Sequence, residues 1–485
     1  MTKQIRKRLF YLFAIIFFAT IPLIVFYTQG YRVDFDELKV VETGGMDLDI
    51  SNSGTRVYLN DELEKETIFI FRSAVFRNIL PGTYKVLIEK TGYQDWVKTV
   101  QVEAGRVAKY ISIRLFPQEM QKTEILTDVR DISMSPNDRF AIVQMPSSIT
   151  TGTSTQKTIQ ISMLELNRPS VRPILALAPS DKLIDIGWSS NSDIFYMLIN
   201  GTAGKTLYTG RVGEVQELTN WNPFLRRSFP AAYNENNIII MSNSTESLFV
   251  LQEEPARTTK EDSITTYSLS RLDLNPPTIR PNIMTGITAA SITGDDIFYT
   301  DEDGIVYKSN ISSPRPEQLT QTGIAKPGSI KEIIVHPSQE IIAISSKSGL
   351  YLWQRELPLE KISEQVAGFA FAPDGEKAMY WDADQITVYW LEEVFGPPQR
   401  MRGTEEIIDQ FSNIQNAVWA TDQSAHIAIQ TNTDILLAEL DSRSNRNIAR
   451  YELPSQNNLF VRILGNLELY TIDKETSSLL QLNYE

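Results

Sequence analysis

The sequence predicts an all-β protein, and a recurring β-hairpin is the main observation behind that prediction. In the best copy, residues 366–381, large apolar residues alternate up to Phe371, a tight turn follows at residues 372–375, and a second apolar run leads out. Alternation with period two is typical of strands, and the Pro-Asp-Gly turn supplies a preset φ and then a residue that tolerates φ > 0. Turns of this layout recur at Pro136, Ser190, Asn234, Thr293, Pro337, Pro373, Thr421 and Leu464.

The spacing of these turns indicates a β-propeller. The seven intervals between Pro136 and Leu464 average about 47 residues, close to the roughly 40–50 residues of one propeller blade. We therefore predict a propeller over residues 118–485, with eight blades favoured and seven as the alternative.

The outer strands of the blades predict how the ring closes. Residues 215–219, 316–320 and 402–407 resemble one another, and residues 121–127 are a further copy that precedes the first hairpin. The last repeat has no outer strand of its own. We expect the strand at residues 121–127 to complete the last blade, which leaves few open edges.

Composition excludes several classes of site and partner. The chain has 485 residues, too many for one ordinary core, so two or more domains are expected. It contains no cysteine, which excludes disulfides, thiolate metal sites and cysteine nucleophiles. The net charge of −14 argues against a nucleic-acid partner, because a phosphate backbone needs a basic face.

The N-terminus predicts a single-pass signal-anchor. Residues 9–27 contain no charge and would span about 28 Å as a helix, close to a hydrocarbon core of roughly 30 Å. Pro22 interrupts the run, which membrane helices tolerate. Four basic residues in the tail, residues 1–8, place the N-terminus in the cytoplasm and the later domains outside. A cleaved signal peptide is the alternative, although Thr28-Gln29-Gly30 is a poor exit site.

A stalk at residues 28–45 and a small β-sandwich at residues 46–117 are predicted between the anchor and the repeats. Short apolar stretches alternate there with turns such as Pro81-Gly82 and Thr91-Gly92, a pattern that favours a compact all-β domain. The predicted strands cover residues 47–50, 56–59, 75–80, 83–89, 96–102 and 107–115.

Two resemblances add to this organisation. The strand Val57-Tyr-Leu-Asn60 and the hairpin Leu80-Pro-Gly-Thr-Tyr through Gly92-Tyr93 resemble a PEGA domain, although Gly54 alone remains of the four residues that name the family. That resemblance implies an envelope or attachment module without catalysis, in which Tyr93 and Trp96 form a sugar-stacking surface or cover the sandwich edge. The repeat turn at residues 371–375 resembles the WD-like repeats of TolB-type propellers.

No catalytic, cofactor-binding or metal-binding residue is predicted, and no cofactor. His336 and His426 are the only histidines, and neither has a carboxylate or hydroxyl partner at a motif spacing. His336 occupies a turn position and His426 a second-strand position. The acidic loops at residues 300–304 and 381–384 lack the ligand pattern of a calcium loop, and their Asp-rich composition is typical of hairpin turns.

Two tryptophans have a predicted structural role. Trp188 and Trp419 each lie two residues before a turn, at a position that is apolar in other repeats. We expect them to pack between blades.

The predicted function is binding. A membrane-anchored scaffold of the cell envelope would engage an envelope protein or a cell-wall glycan through propeller loops, because long loops on a rigid scaffold carry binding groups. Loops after second strands are long in the first three blades, at residues 145–156, 200–205 and 242–263, and share one face. The alternative is a propeller enzyme, either a lyase or hydrolase acting on polysaccharide or a quinoprotein.

Overall fold

One N-terminal helix precedes a chain of β-strands in the computed structural model of the protein. The structure describes residues 3–28, 30–34, 39–67, 73–151, 154–202, 204–228, 238–241, 247–254, 264–274, 276–313, 315–396, 398–421, 423–452, 456–462, 468–473 and 475–483.

Helix α1, Lys3–Thr28, contains the predicted membrane span. Its apolar side chains, such as Phe10 and Phe18, are exposed. By length and composition α1 is a candidate for a single membrane-spanning helix. A short hairpin of β1 (Tyr31–Asp34) and β2 (Lys39–Glu42) follows it, within the predicted stalk.

Two sheets then face each other as a small sandwich. One sheet has the order β6-β3-β9 and the other β5-β4-β7-β8, and apolar residues such as Leu48, Ile88 and Val100 fill the space between them. Six strands agree with the prediction. The seventh, β5, is four-fifths charged and carries no apolar alternation. The strands are β3 (Gly44–Ile50), β4 (Arg56–Leu59), β5 (Glu62–Glu66), β6 (Ser73–Ile79), β7 (Gly82–Glu89), β8 (Trp96–Val102) and β9 (Val107–Ile113).

Eight four-stranded antiparallel sheets lie between Gln121 and Asn483 in the described part of the chain. Sheets one to seven each use four consecutive strands, while sheet eight combines β39–β41 with β10. Helix α2 (Asn222–Ser228) and a short 3-10 turn (Pro327–Ser329) interrupt the strands.

The strands of the first four sheets are β11 (Asp131–Met134), β12 (Phe140–Thr151), β13 (Ser154–Glu165) and β14 (Ser170–Ala176) in sheet one; β15 (Lys182–Trp188), β16 (Ile194–Gly201), β17 (Gly204–Arg211) and β18 (Glu214–Asn220) in sheet two; β19 (Ile238–Met241), β20 (Ser247–Glu253), β21 (Tyr267–Leu274) and β22 (Pro277–Ile287) in sheet three; and β23 (Ala289–Thr293), β24 (Asp296–Thr300), β25 (Val306–Asn310) and β26 (Glu317–Gln318) in sheet four.

The remaining strands are β27 (Ile330–Val335), β28 (Ile341–Ser346), β29 (Gly349–Gln354) and β30 (Glu360–Ser363) in sheet five; β31 (Gly368–Phe371), β32 (Lys377–Trp381), β33 (Gln385–Trp390) and β34 (Glu405–Gln410) in sheet six; β35 (Asn416–Trp419), β36 (His426–Gln430), β37 (Asp434–Glu439) and β38 (Ile448–Glu452) in sheet seven; and β10 (Gln121–Leu126), β39 (Gln456–Arg462), β40 (Glu468–Asp473) and β41 (Ser478–Asn483) in sheet eight.

The sheets pack face to face in chain order, and the last packs on the first. Between sheets six and seven, for example, Met379 contacts a cluster that includes Ile427 and Leu436. Tyr470 of sheet eight belongs to the same buried cluster as Val143 of sheet one. Comparable clusters join every other neighbouring pair. This cyclic packing of four-stranded sheets is a β-propeller.

The ring closes by pairing strands from its two ends, as predicted. β10 runs antiparallel to β41, with Gln121 opposite Asn483 and Glu124 opposite Leu480. The Ser478 hydroxyl also donates a hydrogen bond to Glu124 Oε2 at 2.7 Å. Because β10 follows directly on the sandwich, this pairing also determines where the sandwich meets the ring.

One repeat is shifted relative to the prediction. The predicted turn at Asn234 lies outside the described residues, and the first hairpin of sheet three instead joins Met241 to Ser247. The apolar run 238–241 is therefore the first strand and not the second. The run matches either position because both strands are apolar, so the pattern alone could not assign it.

We expect loss of β10 to destabilise the whole ring. Replacing residues 121–126 with a Gly-Ser segment of equal length removes the β41 ladder and opens an edge of sheet eight. The melting temperature in detergent should fall by several degrees, since each kcal/mol lost lowers it by about 2–4 °C. Replacing residues 150–155 in the same way is the control, because that segment pairs only with itself. Equal melting of the two variants would contradict the closure.

Candidate functional site

A buried lysine joins the sandwich to the propeller. Lys98 of β8 has no exposed side-chain surface, and its Nζ lies 2.6 Å from Glu439 Oε1 at the end of β37. The ammonium also donates to the carbonyl oxygens of Asp441 and Asn445, both at 2.6 Å. All three donors of the lysine are thereby used. Because an unpaired buried charge is very costly, this arrangement holds the two domains in one relative position.

The Glu439 carboxylate accepts hydrogen bonds from both domains. Its Oε1 also accepts hydrogen bonds from the backbone and side-chain nitrogens of Asn447, at 2.9 and 2.8 Å. Its Oε2 accepts the indole N–H of Trp96 at 2.8 Å. The carboxylate is therefore a hydrogen-bonded centre of the junction.

The sugar-stacking hypothesis for Trp96 is wrong. Trp96 is buried, with its ring edge-on to Tyr110 and its indole N–H bonded to the propeller. Tyr93 is half-buried, and the Lys90 ammonium lies 4.3 Å from its ring centroid. No open aromatic platform is formed by these two side chains.

Asp441 and Arg443 extend the junction across the sandwich. The Arg443 guanidinium lies 3.6 Å from the centroid of the Tyr110 ring and is bonded to Asp441 through two nitrogens. Burial alone would raise the pKa of Asp441, but its hydrogen bonds to Arg443 and the charges of Arg443 and Lys98 hold that pKa below its usual value. The carboxylate is thus ionised at neutral pH.

The loop that carries these residues also covers one edge of the sandwich. The backbone N–H of Val97 donates to Asn447 Oδ1 at 3.3 Å, and that of Thr99 donates to Ser444 Oγ at 3.2 Å. An edge strand exposes backbone groups that pair readily with other chains. The propeller therefore blocks part of β8 with side chains.

His426 lies fully inside the junction. Its ring is edge-on to Phe116 at 5.4 Å, and burial, together with the nearby Arg114 charge, lowers its pKa to about 3. A neutral imidazole in this position serves packing. Nearby, the Tyr451 hydroxyl donates to the carbonyl oxygen of Pro117 at 2.7 Å.

Neither Lys98 nor Glu439 is among the residues singled out by the sequence. The sequence signal for Lys98 is its position in β8. Its side chain lies on the same side of the strand as those of Trp96, Val100 and Val102, which are buried. A lysine on that side needs an anionic partner. The partner itself lies 341 residues later, at a distance that no local pattern covers.

The junction identifies the two faces of the propeller. The sandwich contacts loops that follow first and third strands, at Gln423 and at residues 441–447. Loops after second and fourth strands therefore lie on the opposite face. That face carries helix α2, with Phe224 37% exposed and two exposed arginines.

A projecting hairpin also rises from that face. β12 and β13 stay paired from Phe140–Glu165 to Thr151–Ser154, whereas their neighbours β11 and β14 pair only as far as Gln144 and Gln160. We call the projecting part, described at residues 146–151 and 154–157, the arm. In its described part, residues 145–151 and 154–156, the predicted loop is therefore a β-ribbon, and its threonines suit paired exposed strands.

The two other predicted long loops, at residues 200–205 and 242–263, do not project in the same way in the part that the structure describes. In the predicted loop at residues 200–205, β16 and β17 stay paired as far as Gly201 opposite Gly204, so most of it is strand. In the third predicted loop, residues 242–246 and 255–263 lie outside the described residues.

The tryptophans have the predicted packing role. Trp188 and Trp419 are buried between sheets, and each indole N–H bonds to the preceding sheet, at Ser133 Oγ (3.2 Å) and the Ala370 carbonyl oxygen (3.3 Å). These bonds secure neighbouring blades to each other.

The two histidines lie in different sheets, His336 in the turn of sheet five and His426 in sheet seven. His336 Nδ1 shares a hydrogen bond with Ser338 Oγ at 2.8 Å, and its ring packs edge-on against Phe371 of sheet six at 5.0 Å. Burial lowers the pKa of His336, an effect partly offset by Glu392. His336 thus packs one turn against the next sheet.

The acidic loops use their carboxylates to form turns. Asp301 Oδ1 accepts the backbone N–H groups of Asp303 and Ile305, and Asp382 Oδ1 accepts those of Asp384 and Gln385. Among the described residues, no group of three or more histidine, aspartate or glutamate side chains is placed to hold a metal ion.

Several solved structures resemble this chain at low sequence identity. An oligogalacturonate lyase in complex with manganese is 12% identical, with 69% of this chain and 93% of that chain covered and a TM-score of 0.39. Hsv2p of Kluyveromyces lactis is 13% identical, with 67% and 99% covered and a TM-score of 0.41. YCF48 of Cyanidioschyzon merolae is 10% identical, with 63% and 97% covered and a TM-score of 0.39.

No protein-family model matches the chain, and no curated protein matches it. At such TM-scores we draw no functional conclusion from the structural neighbours, and the PEGA and TolB-type resemblances stay predictions.

We expect Lys98→Met to weaken the junction by about 3 kcal/mol or more, because it leaves Glu439 as a buried unpaired charge. Adding Glu439→Gln should recover part of that loss. Denaturant unfolding measures both. Lys85→Met on the neighbouring strand is the matched control, since its exposed pair with Asp61 contributes at most about 1 kcal/mol. Equal losses at Lys98 and Lys85 would contradict the buried joint.

We expect His426→Gln to reduce the sensitivity of folding to acid. The folded-state pKa of His426, about 3, lies below the unfolded value of about 6.5. As pH falls below 6.5 the unfolded chain binds a proton that the folded protein excludes, so stability decreases. Between pH 7.5 and 5.0 the parent should lose about 2 kcal/mol more free energy of unfolding than the variant. Parallel pH profiles would refute this role.

Proposed function

We propose that this chain is a membrane-anchored binding or scaffold protein of the cell envelope, whose propeller engages a protein partner outside the cytoplasm. In this proposal residues 1–8 form a cytoplasmic tail, 9–27 the membrane span, 28–45 a stalk, 46–117 a PEGA-like sandwich and 118–485 a TolB-like propeller.

We also propose that the propeller has eight blades. The eight four-stranded sheets of the described residues support this count. So does the series of buried clusters that runs from each sheet to the next and from the last to the first.

The proposed orientation rests on charge. Residues 1–8 carry four basic side chains directly before the apolar run, and positive residues favour the cytoplasmic side. Protease added to intact spheroplasts should then digest the propeller; digestion only after lysis would reverse the orientation.

The buried junction is the observation that carries the binding proposal. A flexible link would let the propeller present any face, whereas the Lys98–Glu439 pair holds the sandwich against one face. The arm and α2 therefore point away from the side on which the chain enters from its anchor. A fixed display of this kind suits a scaffold that reaches a partner beyond the membrane surface.

The chemistry of the displayed face favours a protein partner over a glycan. The arm is a two-stranded ribbon whose outer edges pair with no other described strand, so its backbone groups can hydrogen-bond to an added chain. The exposed Phe224 and Arg227 of α2 add residue types that are enriched in protein interfaces. Trp96, for which a sugar-stacking surface was one of two interpretations, is buried.

The alternative proposal, a propeller enzyme, has no comparable support. A catalytic pair of histidines is not available to it, because His336 and His426 belong to sheets five and seven and each packs against an aromatic ring.

Shortening the arm tests the proposed function. Replacing residues 148–157 with an Asn-Gly turn keeps the register of the remaining hairpin, because Ser147 and Thr158 are opposite each other. Tagged full-length protein is crosslinked in native envelopes and purified. We expect the parent to capture a stoichiometric protein partner and the arm variant to lose at least about nine-tenths of it.

The matched control shortens residues 311–315, a third-strand loop on the sandwich side, and should retain capture. Full capture by the arm variant would assign the partner to another surface. Absence of any stoichiometric partner from the parent would refute the binding function itself.

A further inference from the structure

The sandwich has an open strand edge beside the propeller. β9 is the last strand of its sheet and pairs only with β3, in parallel. Gly45 N–H bonds to the Arg106 carbonyl oxygen, so residues 106, 108 and 110 point their backbone groups toward β3. The backbone N–H and C=O groups of Val107, Lys109 and Ile111 point the other way, and no described residue hydrogen-bonds to them.

The neighbouring strand edge, at β8, is covered by the propeller. The backbone of β8 is covered by Asn447 and Ser444 of the propeller, although β8 and β9 lie side by side. At the far end of β9, the Ser112 hydroxyl bonds to Gln423 of the propeller and its φ is +60°. The open edge therefore ends where the propeller begins, and three residues remain available.

Two cavities border this edge and offer space for an added strand. A cavity of about 590 Å³, between β9 and β8, is lined by Val107, Ala108, Tyr110 and Thr99. A second cavity, of about 310 Å³, is lined by the outward-facing Lys109 and Ile111. Arg443 borders both cavities. Side chains of an added strand alternate between the two faces of the sheet, and those on the side of Lys109 and Ile111 would enter the smaller cavity.

The side chains along β9 determine which peptide sequence is complementary to the edge. Val107 and Ile111 are 59% and 61% exposed, and Lys109 lies between them on the same side of the strand, exposed and without an ion pair among the described residues. Across the smaller cavity stands Phe395, which is 80% exposed. An acidic side chain complements Lys109, and apolar side chains on either side complement Val107, Ile111 and Phe395.

We propose that β9 is a docking edge for an extended segment of a partner protein, which adds to the sheet as a fourth strand. The segment carries an acidic residue between two apolar residues at alternate positions. A row of alternating N–H and C=O groups is matched by another peptide backbone, and charge complementarity at Lys109 sets the register. This surface is separate from the arm and lies on the opposite face of the propeller.

A displayed peptide library tests the proposal with the full-length protein in lipid nanodiscs. Nine-residue random peptides are selected for binding, and those enriched should share the alternating apolar, acidic, apolar pattern. Lys109→Pro removes the outward N–H and leaves the β3 ladder intact, so peptide affinity should fall about tenfold or more. Lys109→Glu should change the selected central residue from acidic to basic. Lys109→Ala should keep binding but lose the acidic preference.

Hydrogen exchange gives a second measurement that does not depend on the proline variant folding. The amides of Val107, Lys109 and Ile111 should exchange rapidly in the free protein and become protected by a selected peptide. The arm-shortened variant should bind these peptides like the parent, which separates this proposal from the proposed function.

Three results would overturn it. The first is enrichment of no peptide. The second is equal binding of selected peptides to the parent, Lys109→Pro and Lys109→Glu. The third is a dimer of the parent in sedimentation equilibrium that Lys109→Pro dissociates, because a second copy would then occupy the edge.

Discussion

A buried lysine holds the two β-domains of this protein in one relative arrangement. Lys98 is stable in its position only because Glu439 and two backbone carbonyl oxygens of the propeller surround it, since an isolated buried ammonium would be prohibitively costly. Trp96 and Asn447 satisfy the remaining oxygen sites of Glu439. Separation of the sandwich from the propeller would expose all of these hydrogen-bonded groups to water together. The junction therefore forms or breaks as a single unit.

Closure of the ring places that junction at sheet seven. β10 follows the sandwich by a few residues and pairs with β41, so the chain must enter beside the last blade. The linker contributes Phe116 and Met120 to the cluster that joins sheets seven and eight. The interaction that closes the propeller and the interaction that orients it are therefore neighbours, and the two support each other.

Strand edges connect the structure to its proposed activities. A propeller leaves only short, protected strand edges, and the loop at residues 441–447 covers part of one sandwich edge, at β8. Among the strand edges of the described residues, two are proposed to bind other chains: the arm, on the face away from the sandwich, and β9, beside the junction. Each offers backbone groups to another protein chain, one on either face of the propeller.

The sequence by itself determined the repeats, the apolar helix, six of the seven sandwich strands and the strand that closes the ring, because these depend on local alternation and turn chemistry. The packing role of Trp188 followed from its repeat position alone. The partners of Lys98, the burial of Trp96 and the shifted hairpin of sheet three were decided by tertiary structure. Lys98 and Glu439 are 341 residues apart, and only docking of the folded domains brings a cation and an anion together where water is excluded.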